Sequence, residues 1–409
     1  MKQPEFPSIQ RLAIRLTAAA ERHLRSGHPW IFDQSVERVK GVGRVGDLGL
    51  VFSRKKNQLL GIGLYDPHSP IRLRMIHRGK AQIDAAFFRQ RLQEAMDLRK
   101  YKLNDTSQGA ITGYRLLHGE NDGFPGLVVD VYNQVLVVKV YSAVWGPWLA
   151  DILTALQVFF PESAIVMRLS RQLQNADNWP VQWADGSVVR GVLASAEVIF
   201  QEYGLGFRAN VIDGHKTGFF LDHRHNRRRV GELAKGRRVL DVFSYVGGFS
   251  VHALAGGASE VVSLDISAQA QAEAARNVAL NELNSEQHEA MAGDAFKLMG
   301  QMLKAGRRFD LVIVDPPSFA KRERERAGAL EAYQRLAGLA IPLVADGGIY
   351  LAASCSGRIQ SAAFFSVQEK ALRRSQRDWR ELERTFHDFD HPISFAEGAY
   401  LKSVYYQLQ

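Results

Sequence analysis

The stretch from Val239 to Ser250 constrains the fold of this chain more than any other segment. It reads Val-Leu-Asp-Val-Phe-Ser-Tyr-Val-Gly-Gly-Phe-Ser, an apolar strand followed by a glycine turn and the start of a helix. In a parallel sheet, such a turn brings backbone N–H groups close to a ligand and leaves an acidic side chain at the carboxyl end of the strand. The stretch therefore predicts a nucleotide-type cofactor pocket that includes Asp241, Gly247 and Gly248.

The same pattern, a strand that ends in a functional residue, recurs further along the chain. It is seen at residues 260–265, 292–295, 309–319 and 348–356. Helix-length segments separate these short apolar runs, so the chain from about residue 197 onward predicts alternating strands and helices. Asp265 follows Asp241 by 24 residues, about where a doubly wound fold places the carboxylate that binds a ribose. The predicted fold class is α/β, with a doubly wound, Rossmann-like sheet.

The acids at the strand ends indicate which cofactor this sheet would hold. The glycine turn lacks the Gly-x-Gly-x-x-Gly pattern that is typical of dinucleotide binding. Asp241, Asp265 and Asp294, followed by Asp315-Pro-Pro, instead resemble the motif series of class I S-adenosylmethionine-dependent methyltransferases. The resemblance implies S-adenosylmethionine as the cofactor. The alternative is that Asp241 and Asp265 are only strand-end turn residues.

Length and composition bound the class of protein. With 409 residues the chain is long enough for two or three domains. It has no apolar run of about 18 residues and no apolar region behind its first residues, so neither a spanning helix nor a signal peptide is expected. A single cysteine excludes an intramolecular disulfide and a cysteine-based metal cluster. We therefore expect a cytoplasmic protein with neither a metal nor a membrane partner.

The net charge of +9 is concentrated in one part of the chain. Residues 1–80 hold 15 Lys and Arg against 6 Asp and Glu, whereas acids and bases balance in the remainder. Such an asymmetry favours a polyanion partner, because Lys and Arg replace the counterions on phosphates. A merely solvated basic surface is the alternative that charge alone leaves open.

Two segments near the N-terminus carry a more detailed resemblance. Short strands with glycine turns between residues 12 and 77 predict a small β-barrel. Residues 27–32, Gly-His-Pro-Trp-Ile-Phe, and residues 63–72, Gly-Leu-Tyr-Asp-Pro-His-Ser-Pro-Ile-Arg, resemble the RNA-binding PUA domain that opens one family of ribosomal RNA methyltransferases. The resemblance covers the whole chain. It implies a PUA-like domain at 1–80, a mixed α/β middle domain at 81–194, a methyltransferase domain at 195–409, and large-subunit ribosomal RNA as the partner.

A second resemblance concerns the segment before the glycine turn. Residues 216–222, Lys-Thr-Gly-Phe-Phe-Leu-Asp, resemble the family segment that closes over the methionine end of the cofactor, although the family commonly has Gln where this chain has His223. Arg224 and the arginines after it lie on a predicted helix and are candidates to follow RNA phosphate, with a solvated helix face as the alternative. The predicted cofactor-binding residues are Lys216, Thr217, Gly218, Phe220, Asp241, Phe243, Gly247, Gly248, Asp265, Ile266, Asp294, Ala295 and Asp315.

Two strand ends should overlook the methyl group of the cofactor. They are the segment that begins at Asp315 and the Ser-Cys-Ser segment around Cys355, since ligands in doubly wound sheets lie beyond the carboxyl ends of the strands. Two consecutive prolines stiffen the first of these loops, and the aromatic ring that follows is suited to stack on a base withdrawn from its helix or loop. The predicted substrate-binding residues are Pro316, Pro317, Phe319 and Arg224.

Cys355 is the only cysteine in the chain. Methylation at a nitrogen needs only an oriented lone pair, whereas C5 of a pyrimidine becomes nucleophilic when a thiolate adds to C6. The Ser-Cys-Ser segment also matches a motif of the family, so we predict Cys355 as the nucleophile. Asp315 is the second predicted catalytic residue, placed to hydrogen-bond N3 or the exocyclic amine of the base. The alternative for Cys355 is a small packing residue in a buried strand.

The sequence thus predicts methylation of C5 of a cytosine in 23S ribosomal RNA, with S-adenosylmethionine as the methyl donor. One alternative is nitrogen methylation of a guanine, for which Cys355 would be dispensable. Another is a non-catalytic RNA-binding assembly factor that has kept only the methyltransferase fold. The sequence leaves open which nucleotide is modified and whether the protein forms a homodimer.

Overall fold

The computed structural model describes residues 4–176, 179–320 and 322–409. The chain divides into two units. The first comprises Met1–Gln201, Ala209–Leu221 and Phe389–Ala396, and the second comprises Glu202–Arg208, Asp222–Asp388 and Glu397–Gln409. Among the described residues, no helix combines the length and the apolar character needed to cross a membrane.

The first unit opens with a six-stranded sheet. Its strand order is β2-β6-β5-β4-β1-β3, and its neighbouring strands are antiparallel except for the parallel pair β1 and β4. In β6 every buried side chain is apolar, whereas its arginines remain partly or fully exposed. The elements are β1 (Arg11–Leu16), α1 (Ala18–Arg25), β2 (Trp30–Phe32), β3 (Val36–Lys40), β4 (Leu48–Phe52), β5 (Leu59–Tyr65) and β6 (Ile71–Arg78).

The first unit also contains a five-stranded sheet with the order β11-β10-β9-β8-β7. The helix before it begins where the Asp84 carboxylate accepts a hydrogen bond from the Phe87 N–H, and it buries Phe88, Leu92 and Ala95 at helical spacing. The elements are α2 (Ala85–Asn104), β7 (Gly113–His118), β8 (Leu127–Tyr132), β9 (Val135–Val140), α3 (Leu149–Phe159), β10 (Ala164–Leu169), α4 (Arg171–Gln174) and β11 (Val188–Arg190).

The second unit contains a seven-stranded sheet with the order β16-β15-β14-β17-β18-β20-β19. The first five strands in this order run parallel, and the last two form an antiparallel hairpin at one edge. A two-stranded sheet, β12 (Glu197–Glu202) and β13 (Leu205–Asn210), precedes it in the chain. The seven strands are β14 (Arg238–Val242), β15 (Glu260–Asp265), β16 (His288–Ala292), β17 (Phe309–Val314), β18 (Val344–Ser354), β19 (Trp379–Thr385) and β20 (Lys402–Leu408).

The strand order has a switch point between β14 and β17. The chain moves outward from β14 through β15 to β16, returns to β17 on the other side of β14, and continues to β18. In open α/β sheets, ligands bind in the crevice beyond the carboxyl ends of the strands at this point. The helices of the second unit are α5 (Arg224–Leu233), α6 (Gly248–Ala255), α7 (Ala268–Leu280), α8 (Ala295–Lys304), α9 (Arg326–Ala340) and α10 (Ser361–Arg374).

The predicted doubly wound sheet from about residue 197 onward is confirmed. β15 has the same bounds as its apolar run, and the apolar residues of β14 and β17 are buried because parallel strands are covered on both faces. The predicted domains 1–80 and 81–194 both lie within the first unit. The division into three domains stays a prediction.

Candidate active site

Asp241 is the buried acid of β14, and hydrogen bonds from described residues reach only one of its two carboxylate oxygens. Its Oδ2 accepts hydrogen bonds from the Ser250 N–H at 3.1 Å and from the Ser250 hydroxyl at 2.7 Å. Its Oδ1 has no hydrogen-bond partner among the residues that the structure describes. Burial raises the pKa of Asp241 to about 7, with a further contribution from the neighbouring Asp315 carboxylate. A buried acceptor without a donor is where a polar group of a ligand would bind.

The turn after β14 is held in an uncommon backbone conformation. Phe243, Tyr245 and Gly247 all have positive φ angles, of 68°, 49° and 77°. A Cβ on Gly247 would lie 2.8 Å from the Cβ of Ala274 on α7, so only glycine fits there. Positive φ costs about 1–3 kcal/mol at each non-glycine residue, and such strain is concentrated at functional sites. Gly248 starts α6 directly after this turn.

The end of β15 offers a carboxylate next to an apolar surface. Asp265 is half-buried, and its carboxylate accepts hydrogen bonds from the Tyr245 N–H at 3.1 Å and the Ser267 N–H at 2.9 Å. Ile266, the next residue, is 78% exposed, which is unusual for a large apolar side chain. Asp294 caps α8 through the Lys297 N–H, and Ala295 behind it is buried. A ribose on Asp265 and a planar base on Ile266 would fit this edge.

The predicted residues Lys216, Thr217, Gly218 and Phe220 lie in the first unit. The hydroxyl of Thr217 donates to the Asp130 carboxylate at 2.5 Å and lies 2.9 Å from the hydroxyl of Tyr132. The ammonium of Lys216 lies 4.3 Å from the centre of the Phe220 ring. β8 therefore holds this segment in place. Contact of these four residues with the cofactor stays a prediction.

Asp315 follows the last residue of β17 and has a histidine beside it. Its side chain is 22% exposed, and Oδ2 lies 3.3 Å from Nε2 of His223, without the alignment of a hydrogen bond. The other ring nitrogen of His223 lies 3.1 Å from the side-chain amide nitrogen of Asn226. His223 is thus the buried neighbour of the predicted catalytic acid. It is the position at which the sequence differs from the Gln that is common in the family it resembles.

Cys355 directly follows β18, beside the loop that follows β17. Its Sγ lies 3.9 Å from the carbonyl oxygen of Pro316, and the side chain is partly exposed. The preceding Ser354 is buried and shares a hydrogen bond of 2.8 Å with the hydroxyl of Tyr333. The ring of Phe319 packs edge-on against Tyr333, with 5.1 Å between ring centres. The structure thus brings the two predicted loops together, because β17 and β18 are neighbours in the sheet.

The loop that begins at Asp315 combines buried and open residues. Pro316 is buried, Pro317 is exposed, and Phe319 is partly buried. The exposed Pro317 is the member of the predicted substrate-binding set that a large ligand could reach most directly. Contact of these residues with RNA stays a prediction.

Arg224 is placed differently from what the sequence predicts. Its side chain is 0% exposed, and its guanidinium lies 3.2 Å from the Asp388 carboxylate. Arg227 is also buried, paired with Glu202. These two arginines lie in the interior of the second unit rather than on a surface open to RNA phosphate. The physical reason is that each has a carboxylate partner far away in the sequence, which a helical pattern of arginines does not reveal.

Lys402 is a site residue that the sequence interpretation missed. It is 0% exposed, and its ammonium donates to the carbonyl oxygens of Ser356, Ile359 and Tyr400 at 2.5, 2.7 and 2.9 Å. Burial lowers the pKa of Lys402 to about 8. The available signal was a lysine at the start of the apolar strand β20, where a charged side chain is rarely buried.

Comparison with known proteins agrees with this geometry. The sequence matches the S-adenosylmethionine-dependent methyltransferase family over residues 115–390 and a PUA-like domain over residues 14–78. The chain belongs to this methyltransferase family and carries an N-terminal PUA-like domain, which confirms the resemblance seen in the sequence. S-adenosylmethionine is its cofactor, and the unpartnered Asp241 oxygen, the Asp265 carboxylate and the exposed Ile266 fit that group.

Particular relatives are similar over nearly the whole chain. The ribosomal RNA large subunit methyltransferase of Deinococcus radiodurans is 47% identical over 404 residues, which cover 98% of both chains. The ribosomal RNA large subunit methyltransferase I of Serratia proteamaculans is 36% identical over 390 residues, covering 95% of this chain and 97% of the relative.

Two solved structures share the fold. One is provisionally described as an S-adenosylmethionine-dependent methyltransferase from Streptococcus mutans. It has a TM-score of 0.81 and 20% identity, and the match covers 97% of this chain and 99% of that one. The other is provisionally described as a methyltransferase in complex with S-adenosylhomocysteine. It has a TM-score of 0.83 and 21% identity, and the match covers 98% of this chain and 100% of that one.

Proposed function

We propose that this protein methylates C5 of a cytosine in the ribosomal RNA of the large subunit, with Cys355 as the nucleophile. The substrate class is supported by relatives of 47% and 36% identity that are named ribosomal RNA large subunit methyltransferases. It is also supported by the basic excess in residues 1–80, which include the PUA-like match. In this proposal, residues 1–80 supply affinity for RNA, 81–194 form a middle domain, and 195–409 carry out catalysis in the cytoplasm.

The observation that carries the proposal is the position of the only cysteine. Cys355 follows β18 at the crevice edge of the sheet, with its Sγ 3.9 Å from the carbonyl of Pro316 in the loop that Asp315 begins. A cysteine that served only for packing would be expected inside the strand rather than directly after it. A partly exposed thiol at this edge of the sheet is accessible for addition to a pyrimidine.

The residues of the chain have distinct tasks in this reaction. Bound S-adenosylmethionine supplies an electrophilic methyl group. The Cys355 thiolate forms a bond to C6 of the cytosine, and the electron pair of the C5–C6 double bond becomes available at C5. Asp315 hydrogen-bonds N3 or the exocyclic amine and favours protonation there as the thiolate adds. After C5 has accepted the methyl group, loss of the C5 proton to a base returns the electron pair to the double bond and expels the thiolate.

The loop after Asp315 would hold the base for this addition. Pro316 and Pro317 stiffen the loop, and Phe319, packed on Tyr333, would present its ring to the base. Cofactor contacts would come from Asp241, from Asp265 with Ile266, and from the turn around Gly247 and Gly248. We assign Arg224 no contact with RNA, because it is buried.

The proposal is tested by the transfer of labelled methyl groups to ribosomal RNA that lacks the modification. The product is digested to nucleosides, and the wild type is compared with Cys355→Ser, which exchanges a single atom and keeps the shape of the side chain. We expect 5-methylcytidine from the wild type and at least a hundredfold less from the variant. Label on guanine, or full activity of the variant, would overturn the proposal and favour nitrogen methylation.

A second readout isolates the covalent step. RNA that carries 5-fluorocytidine should form an adduct with the wild type that persists, because fluorine at C5 cannot leave as a proton. The adduct migrates more slowly than the protein in denaturing gels. Cys355→Ser should form none. An adduct of equal yield with this variant would show that another residue attacks the base.

A further inference from the structure

The contacts of Lys402 join it to the segment that carries Cys355. Its ammonium makes three hydrogen bonds to carbonyl oxygens, two of which belong to Ser356 and Ile359 in the turn directly after Cys355. In the sheet, Lys402 pairs with Ser354, the residue before the cysteine. The Lys402 side chain therefore holds the backbone on the C-terminal side of Cys355. Its strand, β20, pairs with the residue on the N-terminal side.

The ammonium group of Lys402 is buried without a carboxylate beside it among the described residues. An ammonium group that is 0% exposed is expensive to bury unless an opposite charge accompanies it. In the part of the chain that the structure describes, no carboxylate lies within ion-pair distance of Lys402, and carbonyl oxygens are its only hydrogen-bond partners. Among the described residues, the group whose charge acts favourably on it is Cys355. A cation is buried at a position where a thiolate would be its counter-charge.

Two other described groups near Cys355, Tyr333 and Asp315, carry no positive charge. Tyr333 on α9 is neutral in the working range, because burial raises the pKa of its hydroxyl well above its usual value. Asp315, which precedes the carbonyl that Cys355 contacts, carries the same sign of charge as a thiolate and opposes its formation. Lys402 supplies a positive charge that offsets both the burial of the sulfur and the nearby carboxylate.

We propose that Lys402 is a positioning residue that holds the turn of Cys355 and stabilises its thiolate through a buried ammonium. This inference rests on the proposed role of Cys355 as the nucleophile and adds the group that activates it. A neighbouring lysine is a known means of lowering the pKa of a cysteine. An opposite charge within contact range shifts a pKa by about one to three units, and one unit changes the thiolate fraction about tenfold below the pKa.

The test uses the fact that the chain has one cysteine. The rate of alkylation by iodoacetamide, followed by mass spectrometry across pH, reports the pKa of Cys355 without RNA or cofactor. We expect Lys402→Met to raise this pKa by about one unit or more, and Lys402→Arg to keep it within a few tenths of the wild type. Alkylation at pH 6.5 should be about tenfold slower in Lys402→Met. An unchanged pKa in a folded Lys402→Met protein would overturn the inference.

A matched control comes from the first unit. Lys139 is also a buried lysine whose ammonium donates to a carbonyl, that of Leu169 at 2.6 Å, and burial lowers its pKa as well. Lys139→Met removes the same kind of interaction without touching the turn of Cys355. It should leave the alkylation profile of Cys355 unchanged. An equal shift in both variants would show a general loss of structure instead of a local charge effect.

A reciprocal measurement covers the case in which Lys402→Met does not fold. Electrostatic coupling acts equally on both partners. At pH values above the pKa of the Cys355 thiol, the pKa of Lys402 should therefore be lower in Cys355→Ser than in the wild type. Titration of ¹⁵N-labelled lysine side chains by NMR measures it in a protein that keeps the lysine. No difference between wild type and Cys355→Ser would refute the coupling.

The test of Lys402 can be told apart from the test of the proposed function. If Cys355→Ser still transfers methyl groups, the nucleophile assignment fails whatever the alkylation profile shows. If Cys355→Ser is inactive and Lys402→Met shows an unchanged thiol pKa, only the role of Lys402 fails. If the assignments of Cys355 and Lys402 both hold, methyl transfer by Lys402→Met should show a lower kcat and an unchanged KM. The acid limb of its pH–rate profile should move to higher pH by the same amount as the thiol pKa.

Discussion

Replacing Asp241 by Asn is expected to stabilise the ligand-free second unit at neutral pH and to weaken binding of S-adenosylmethionine. Asp241 is nearly fully buried, and burial raises its pKa to about 7 from a reference of 3.8. Each unit of pKa shift corresponds to about 1.4 kcal/mol, so the ionised carboxylate costs the fold on the order of 4 kcal/mol above pH 7. The asparagine side chain keeps an oxygen for Ser250 but places an N–H₂ group where Oδ1 has no partner among the described residues, which costs about 1–3 kcal/mol. The net gain should be about 1–3 kcal/mol at pH 8.

The pH dependence gives this prediction its sign. Because the folded-state pKa of Asp241 is raised, its protonated form contributes stability that is fully present below about pH 4 and is lost as pH rises through about 7. The difference in the free energy of unfolding between variant and wild type should therefore grow by about 1.4 kcal/mol per pH unit across that window, and stay constant above it. Burial also lowers the pKa of His225, to about 4, but that titration is common to both proteins and cancels in the difference.

The assay is hydrogen exchange by mass spectrometry at a series of pH values, read on peptides that cover β14 so that the second unit is followed by itself. Urea unfolding read on the same peptides gives the free energies. Calorimetry supplies the binding constant of S-adenosylmethionine, and wild-type binding near pH 6 should release protons if the bound cofactor donates to Asp241. A free-energy difference that does not vary with pH, or a variant that binds the cofactor as tightly as the wild type, would refute the reasoning.

Two further substitutions test other parts of the second unit. Arg227→Met should destabilise it by about 3–5 kcal/mol in urea, because the buried Glu202 would lose the partner that lowers its pKa to about 2 against the effect of burial; a loss below about 1 kcal/mol, the range of exposed pairs, would contradict this. Ile266→Ala should leave stability within about 0.5 kcal/mol, since the side chain is 78% exposed. The same variant should weaken S-adenosylmethionine binding about fivefold to tenfold in calorimetry if the base packs on Ile266, and equal affinity would remove that contact.

Local patterns were enough to predict most elements of the sheet. The bounds of β5, β10 and β15 coincide with apolar runs between turn residues, and a carboxylate cap at Asp84 starts α2. These features depend on neighbours a few residues apart, so the sequence carries them directly. The strand-end acids could be predicted for the same reason, because a parallel strand that ends in Asp places it at the crevice edge wherever the strand lies in the sheet.

The partners of the charged side chains could not be predicted in this way. The arginines at 224 and 227 satisfy the pattern of an exposed basic helix, yet they pair with Asp388 and Glu202, which lie 164 and 25 residues away. Nothing in a helical period tells whether such a carboxylate will be brought close. Burial of these arginines is therefore a result of the packing of α5, which leaves Arg224 and Arg227 without the exposed position that the helical pattern predicted.

The sequence by itself determined the class of fold, the cofactor edge and the single cysteine, since each depends on residue type and short-range order. Only the tertiary structure decided what surrounds that cysteine. Lys402 lies 47 positions after Cys355, and it reaches the turn of Cys355 because β20 inserts beside β18 in antiparallel register. The free energy that offsets the burial of a cation there comes from long-range strand pairing and from the packing of apolar side chains, which are properties of the folded sheet.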